Sequence, residues 1–260
     1  MMKQVLSFPN IRVNAMALAI VIFAILESLN FGYMNTSLLL VGIFILSFRQ
    51  FSLLPLITFA LAPYLIISFS KILHFSIWPL LHLFLPLLLC LFVSRSSLKS
   101  CIRIRIEKPS KQLLLFIIFI IVSASIALFI WKSFYPAYSS FFNNLLSNFS
   151  YKMLLLILGF SILNASLEEI IFRGIIQDTL LECFSSWQGF GKYLAIIMQG
   201  IWFGAIHFKI GFPCYFSGFL LASIYGIILG QLKAETQNLF FSIIAHIFAD
   251  ITIMLLLIFY

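Results

Sequence analysis

Long, nearly uninterrupted apolar runs constrain the fold of this chain more than any other feature. Stretches of leucine, isoleucine and phenylalanine recur along the 260 residues, and several approach the ~20 residues that a helix needs to cross a bilayer. The runs do not alternate apolar and polar residues, which favours helices over a transmembrane barrel. Only 9% of the residues are charged, against roughly 25% in a soluble domain. The sequence therefore predicts an all-α, polytopic transmembrane helical bundle.

The apolar runs predict about eight spans. They are centred on residues 13–29, 33–48, 51–70, 74–93, 112–131, 152–180, 192–209 and 212–258. The last range must contain two helices separated near "QLKAETQN", so the count could also be nine. The first run lacks a small-residue cleavage site and is expected to be a retained span, not a signal peptide.

A basic segment divides the predicted spans into two groups. The stretch "SRSSLKSCIRIRIEKPSKQ" contains six Lys and Arg residues and one Glu. Because positively charged loops stay in the cytoplasm, we expect this segment and the N-terminus to be cytoplasmic. The expected organisation is an N-terminal transmembrane region of about four spans (1–94), a basic cytoplasmic linker (95–111) and a C-terminal transmembrane core (112–260). The net charge of +8 then reflects topology and attraction to anionic lipids, and no nucleic-acid partner is expected.

Three acidic residues interrupt apolar runs: Glu168, Glu169 and Asp250. A charge at membrane depth costs at least about 2.5–3.5 kcal/mol, so such residues usually pair, face a cavity and mark function. Glu169 and Arg173 are four residues apart and can form an ion pair on one helical face. Glu168 is rotated by roughly 100° and is expected to point elsewhere, free of that partner. One held and one free glutamate suggest an orienting group beside a general base, with a purely structural pair as the alternative.

Two histidines accompany these acids. His207, in "IWFGAIHF", follows Phe203 by one helical turn, and His246, in "SIIAHIFADI", precedes Asp250 by four residues. A single histidine in such a run is more often a satisfied interior group. Three polar clusters on successive apolar helices instead predict one shared site.

The order "EEIIFRG", "FGAIH" and "HIFAD" resembles a set of family motifs. These are the EExxxR, FxxxH and HxxxN or HxxxD motifs of the CAAX prenyl endopeptidase and bacteriocin-processing (CPBP, or Abi) family of intramembrane proteases. The resemblance extends over residues 150–258. It implies an intramembrane metallo- or glutamate endopeptidase of the bacterial plasma membrane. Its substrate would be a membrane-associated protein or peptide, cleaved near its C-terminus or at the membrane boundary.

The resemblance also implies a role for each matching residue. Glu168 would be the base that activates the hydrolytic water, while Glu169 and Arg173 would hold the local structure. His207 would bind or orient the water, and His246 would help to hold the oxyanion. A dry, apolar surrounding would strengthen these electrostatic effects.

Two points stay open at this stage. Asp250 stands where many members have asparagine, and an ionised aspartate cannot donate a hydrogen bond to an oxyanion. It would therefore be protonated, accept from His246, or help to bind a cation. The cofactor is either none or a divalent metal such as zinc, for which Glu168, His207 and His246 would be the ligands. The HExxH spacing of zincins is absent, and we favour a water activated by glutamate alone.

Three other functions compete with this interpretation. A non-catalytic membrane scaffold or bacteriocin-immunity protein could retain the same site residues. A transporter could use buried acids and histidines, although no internal repeat is apparent. A rhomboid-like serine protease would use Ser217 in "CYFSG", which lacks the glycine two residues before the serine.

Overall fold

Helices make up almost all of the residues that this computed structural model describes. The structure describes residues 9–29, 53, 55–58, 60, 103–134, 151–208, 212–213 and 215–259. Within these ranges residues 103–110 have no regular secondary structure, and no strand is present. The predicted all-α class is confirmed.

The described ranges contain the following helical elements, in chain order. They are α1 (Pro9–Ser28), α2 (Lys111–Phe134), α3 (Tyr151–Glu169), a π-helical segment (Ile170–Ile176), α4 (Gln177–Cys183), a 3-10 turn (Ser185–Trp187), α5 (Gln188–His207), α6 (Tyr215–Thr236) and α7 (Leu239–Phe259). Helices α5 and α6 share the largest interface, while α7 packs on α3 and α2. The bundle therefore brings α3, α5, α6 and α7 together around one interior.

Four helices in the described ranges are long and apolar enough to cross a membrane. They are Lys111–Phe134, Gly189–His207, Tyr215–Thr236 and Leu239–Leu257. The predicted range 212–258 is indeed two helices, which separate at Gln237 and Asn238. A shorter apolar helix, Val13–Leu26, lies in the first predicted span. The chain is an integral membrane protein.

The other predicted spans have different outcomes. The range 152–180 corresponds to α3, the π segment and α4, which are not among the four spanning candidates. The range 51–70 lies mostly outside the described residues, and 33–48 and 74–93 lie wholly outside them. The count of eight spans and the boundaries at 94 and 111 therefore stay predictions.

Helix α2 has the exposure pattern of a lipid-facing helix. Only 17% of its most apolar 18-residue stretch is buried inside the bundle. Leu115 and Phe119 are 67% and 66% exposed, although both are large and apolar. An apolar surface of this size is stable against acyl chains but not against water. Its buried residues Ile117 and Ile120 pack into a cluster with α6 and α7.

The basic segment is attached to the turn between α6 and α7. The Asn238 side chain donates to the Arg105 carbonyl (2.8 Å), and the Arg105 backbone N–H donates to Asn238 Oδ1 (3.0 Å). The Leu239 N–H donates to the Arg103 carbonyl (2.9 Å). Gln237, with φ of 52°, is left-handed at the residue after α6, which is a common way to end a helix. The segment before α2 and the α6–α7 turn thus lie at the same end of the bundle.

Small residues let α5 and α6 approach closely. A Cβ added at Gly204 of α5 would lie 2.5 Å from the Phe219 carbonyl oxygen and would also overlap the Ser223 hydroxyl. Backbone at that distance cannot move aside without separating the helices. Glycine at position 204 is therefore required by the packing of α6.

We expect Gly204→Ala to destabilise the protein by about 1–3 kcal/mol, because the added methyl overpacks the α5–α6 interface. The matched control is Gly159→Ala on α3, where an added Cβ meets no atom within 4 Å. There the better helix propensity of alanine should leave stability unchanged or slightly higher. Thermal unfolding in detergent measures both, and equal effects of the two changes would contradict the close approach.

Candidate functional site

The acidic pair lies where α3 changes into the π-helical segment. Glu168 and Glu169 end α3, and Arg173 lies in the wider turns that follow, whose bonding includes the Gln177 N–H donating to the Phe172 carbonyl. Arg173 Nη1 is 2.9 Å from Glu169 Oε1, and both side chains are fully buried. The predicted ion pair between them is present. Short π segments occur frequently at functional sites, and this one directs a guanidinium inward.

Arg173 is held by further contacts inside the bundle. Its Nη2 donates to the Gly226 carbonyl of α6 at 3.4 Å. Its Cζ lies 4.5 Å from the centre of the Phe203 ring, a cation–π contact with α5. These groups replace water around a cation that has no exposure, so the ion pair also joins three helices.

His246 of α7 contacts all three acids that interrupt the apolar runs. Its Nδ1 is 2.7 Å from Glu169 Oε1, and since a carboxylate only accepts, Nδ1 donates. Its Nε2 lies 3.5 Å from Glu168 Oε2 and 3.7 Å from Asp250 Oδ1. One imidazole therefore joins α3 to α7.

Glu168 forms no ion pair with Arg173 among the described contacts, in keeping with its predicted rotation, but both glutamates reach the same histidine. Side chains about 100° apart on α3 can do so because the two imidazole nitrogens face in different directions. One of the three roles left open for Asp250 is ruled out: it is not the hydrogen-bond acceptor of His246, since 3.7 Å is too long. Glu169 has that role.

His207 is fixed by its own helix. Its Nδ1 is 2.8 Å from the Phe203 carbonyl oxygen, which can only accept, so Nδ1 carries a proton and Nε2 is the acceptor. The Phe203 ring lies 4.7 Å from the His207 ring and 5.8 Å from the His246 ring, centre to centre. Phe203 thus contacts both histidines as well as Arg173.

The two adjacent glutamates differ in how they are bound. Both Glu169 contacts, to Arg173 and His246, are shorter than 3 Å. Glu168 accepts only a long hydrogen bond, 3.4 Å, from Asn164. The Oε2 atom of each glutamate is buried without a hydrogen-bond partner among the described residues. The difference is that Glu169 is held through Oε1 by two short contacts, whereas Glu168 has none of that length, so its carboxylate is less committed to structure.

Two site residues were missed from the sequence. Asn164 donates to Asp250 Oδ2 at 3.0 Å as well as to Glu168. Asn164 lies four residues before Glu168 and so on the same helical face, which is a signal by which the sequence could have identified it. Tyr225 packs its ring 5.7 Å from the His246 ring, centre to centre. Nothing in the sequence distinguishes Tyr225 from the other tyrosines in apolar runs.

His246 and Asp250 lie near the middle of α7, whereas His207 is the last residue of α5 and Glu169 the last of α3. With a rise of about 1.5 Å per residue, His246 and Asp250 are about 10 and 16 Å along α7 from its first residue. Gly226, which binds Arg173, is near the middle of α6. Ser217, the residue of the competing serine-protease hypothesis, lies near the start of α6 and accepts a hydrogen bond from Trp131 at 2.9 Å.

The metal prediction has no support in the arrangement of side chains. Within the described ranges, no group of three or more His, Cys, Asp or Glu side chains is arranged to hold a metal ion. Of the three predicted ligands, His246 and Glu168 are neighbours, whereas His207 is joined to His246 through the Phe203 ring. No reaction step is therefore derived through a metal, and the metal stays a prediction.

Comparison with known proteins finds a family that the C-terminal part of the chain resembles. Residues 150–252 match the family model described as type II CAAX prenyl endopeptidase Rce1-like. Neither a curated protein nor a solved structure matches the chain significantly. All six site residues predicted from the motifs lie inside the matched segment. The match confirms the CPBP resemblance for residues 150–252, which are similar to this protease family.

Proposed function

We propose that this protein is an intramembrane endopeptidase in which Glu168 activates water. The bond that it hydrolyses lies near the C-terminus or membrane boundary of a membrane-associated protein or peptide. Support comes from the similarity of residues 150–252 to the Rce1-like family and from the unequal surroundings of the adjacent glutamates. The observation that carries the proposal is that the Glu168 carboxylate has no polar contact shorter than 3.4 Å among the described residues, whereas Glu169 is held by Arg173 at 2.9 Å and by His246 at 2.7 Å.

In the proposed reaction, each side chain of the site has one role. Glu168 takes a proton from water as the water oxygen bonds to the carbonyl carbon of the scissile amide. His207 orients that water through Nε2, its unprotonated nitrogen. His246, held by Glu169, presents Nε2 on the Glu168 side, and this nitrogen, when protonated, donates to the oxyanion. Glu168 then returns the proton to the leaving nitrogen as the C–N bond breaks.

We infer the orientation of the bundle from its basic end. The segment 103–111 contains Arg103, Arg105 and Lys108, all exposed, and it is joined to the α6–α7 turn. By the positive-inside rule this end is cytoplasmic. The site, about 10–16 Å along α7 from that end, would then be reached by a substrate from within the bilayer.

The test is cleavage by the purified protein in liposomes. A library of peptides, each with an apolar anchor and varied C-terminal residues, is incubated with the protein and analysed by mass spectrometry. We expect new peptide ends with the wild-type protein and none with Glu168→Gln at the same amount of folded protein. Complete absence of cleavage by both, or equal cleavage by both, would contradict the proposal.

We also expect a chelator to leave this cleavage unchanged, because the described site residues are not grouped as metal ligands. The measurement compares rates before and after EDTA followed by dialysis. Loss of activity on chelation, restored by zinc alone, would support the metal prediction instead. Thermal unfolding of the chelated protein is the control for a loss of folded protein.

A further inference from the structure

Asn164 connects two acids of the site through one side-chain amide. It lies on α3 one turn before Glu168, and its Nδ2 is 3.0 Å from Asp250 Oδ2 and 3.4 Å from Glu168 Oε1. An amide nitrogen carries two hydrogens, so one group can donate to both carboxylates. Asp250 lies on α7, so this contact crosses between helices.

The same two carboxylates share a second nitrogen. His246 Nε2 is 3.5 Å from Glu168 Oε2 and 3.7 Å from Asp250 Oδ1. Glu168 and Asp250 are thus flanked by His246 on one side and by Asn164 on the other. Two carboxylates in one site repel each other when both are ionised. Asn164 is the uncharged donor that holds both of them in place.

We propose that Asn164 is a positioning residue that orients the Glu168 carboxylate by bridging it to Asp250. The inference rests on the proposed role of Glu168 as general base. Glu168 has no ion pair with Arg173 among the described contacts, and its nearest polar groups are the Asn164 amide at 3.4 Å and His246 Nε2 at 3.5 Å. Because the amide is itself fixed by its 3.0 Å bond to Asp250, it helps to set the orientation of the Glu168 carboxylate. The bridge needs a hydrogen-bond donor at position 164 and an acceptor at position 250, and Asp250 is that acceptor.

The test exchanges the amide and the carboxylate across the pair. Asn164→Asp replaces the donor by a third acceptor beside Glu168 and Asp250, and we expect kcat to fall about 10²-fold, the cost of a misplaced catalytic group. Asp250→Asn keeps an oxygen acceptor and should cost less than about 10-fold. The double variant restores one amide and one carboxylate between positions 164 and 250 but leaves Glu168 without its donor from position 164, so kcat should stay at least about 10-fold below wild type. Asn164→Asp with wild-type kcat, or a double variant with wild-type kcat, would overturn the proposal.

A second variant distinguishes a role of Asn164 in positioning Glu168 from a role in folding. Asn164→Ala removes the amide without adding a charge, and we expect lower kcat at nearly unchanged KM and thermal stability. A role in stability alone would lower the amount of folded protein but leave kcat of the folded fraction unchanged, which would overturn the proposal. Ser161→Ala is the matched control on the same helix, since Ser161 is buried, its hydroxyl has no hydrogen-bond partner among the described residues, and it lies outside the site. Its cleavage should equal that of wild type.

Including Glu168→Gln in the series distinguishes the two proposals. If Glu168→Gln is inactive and Asn164→Ala is fully active, the bridge is wrong while the base stands. If Glu168→Gln cleaves as well as wild type, the proposed function is wrong, and the role of Asn164 falls with it.

Discussion

Glu168→Gln protein is expected to fold and accumulate like wild type while its cleavage rate falls by about 10²–10⁴-fold, the usual contribution of a general base. Glutamine has nearly the same volume and can still accept the hydrogen bond that Asn164 donates to Glu168. It cannot take a proton from water. Rates measured at equal amounts of folded protein in liposomes give the comparison.

The control for that variant is Glu182→Gln on α4, because Glu182 is an exposed glutamate away from the site. Its activity and stability should stay at wild-type values, since surface substitutions rarely change stability by more than about 0.5 kcal/mol. A non-catalytic scaffold or immunity protein would instead keep its biological effect in the Glu168→Gln form. Retention of that effect, with no cleavage by wild type, would favour the scaffold hypothesis.

Glu169→Gln is expected to lower the free energy of unfolding by about 3–5 kcal/mol, because it leaves a buried charge uncompensated. Arg173 has no exposure, and its 2.9 Å contact with Glu169 is its ion pair within the described ranges. The same change also weakens the 2.7 Å contact to His246. Thermal unfolding in detergent and abundance in the membrane measure the effect.

Glu168→Gln is the matched control for this second change, since it is the same substitution at the adjacent position. Glu168 contributes a long hydrogen bond from Asn164 and a 3.5 Å approach to His246, so its loss should cost far less stability. Equal unfolding temperatures for the two variants would contradict the division between a structural and a reactive glutamate.

Spacing along the sequence predicts those contacts of the site that lie within α3 and the π-helical segment. The ion pair between Glu169 and Arg173 follows from four-residue spacing, and the structure contains it. The bond from Asn164 to Glu168 follows the same rule, so it was predictable although it was not predicted. The separation of residues 212–258 into two helices near Gln237 was also readable from the polar residues there.

Contacts between helices were not predictable from spacing. His246 donates to Glu169 across 77 positions, and Asp250 accepts from Asn164 across 86. The four-residue spacing of His246 and Asp250 allowed a direct hydrogen bond as one of three roles for Asp250, but their side chains are turned toward partners on α3. Which residues meet across an interface depends on the register and rotation of the packed helices. The spacing of residues within one helix does not give that register.

The docking of the basic segment shows the same limit. Its charge predicted a loop at the end of the bundle, but its hydrogen bonds to Asn238 come from the position of the α6–α7 turn. The predicted spans at 33–48 and 74–93 lie outside the described residues, so the organisation of the N-terminal region stays a prediction.

The central claim is that Glu168 enables this membrane protein to hydrolyse peptide bonds. Its most direct test compares the ends of membrane and secreted peptides from cells that make wild type with those from cells that make Glu168→Gln at equal abundance. We expect a set of new C-termini and N-termini near membrane boundaries in the wild-type cells that is absent from the variant cells. Identical sets of peptide ends, with both proteins folded and equally abundant, would contradict the claim.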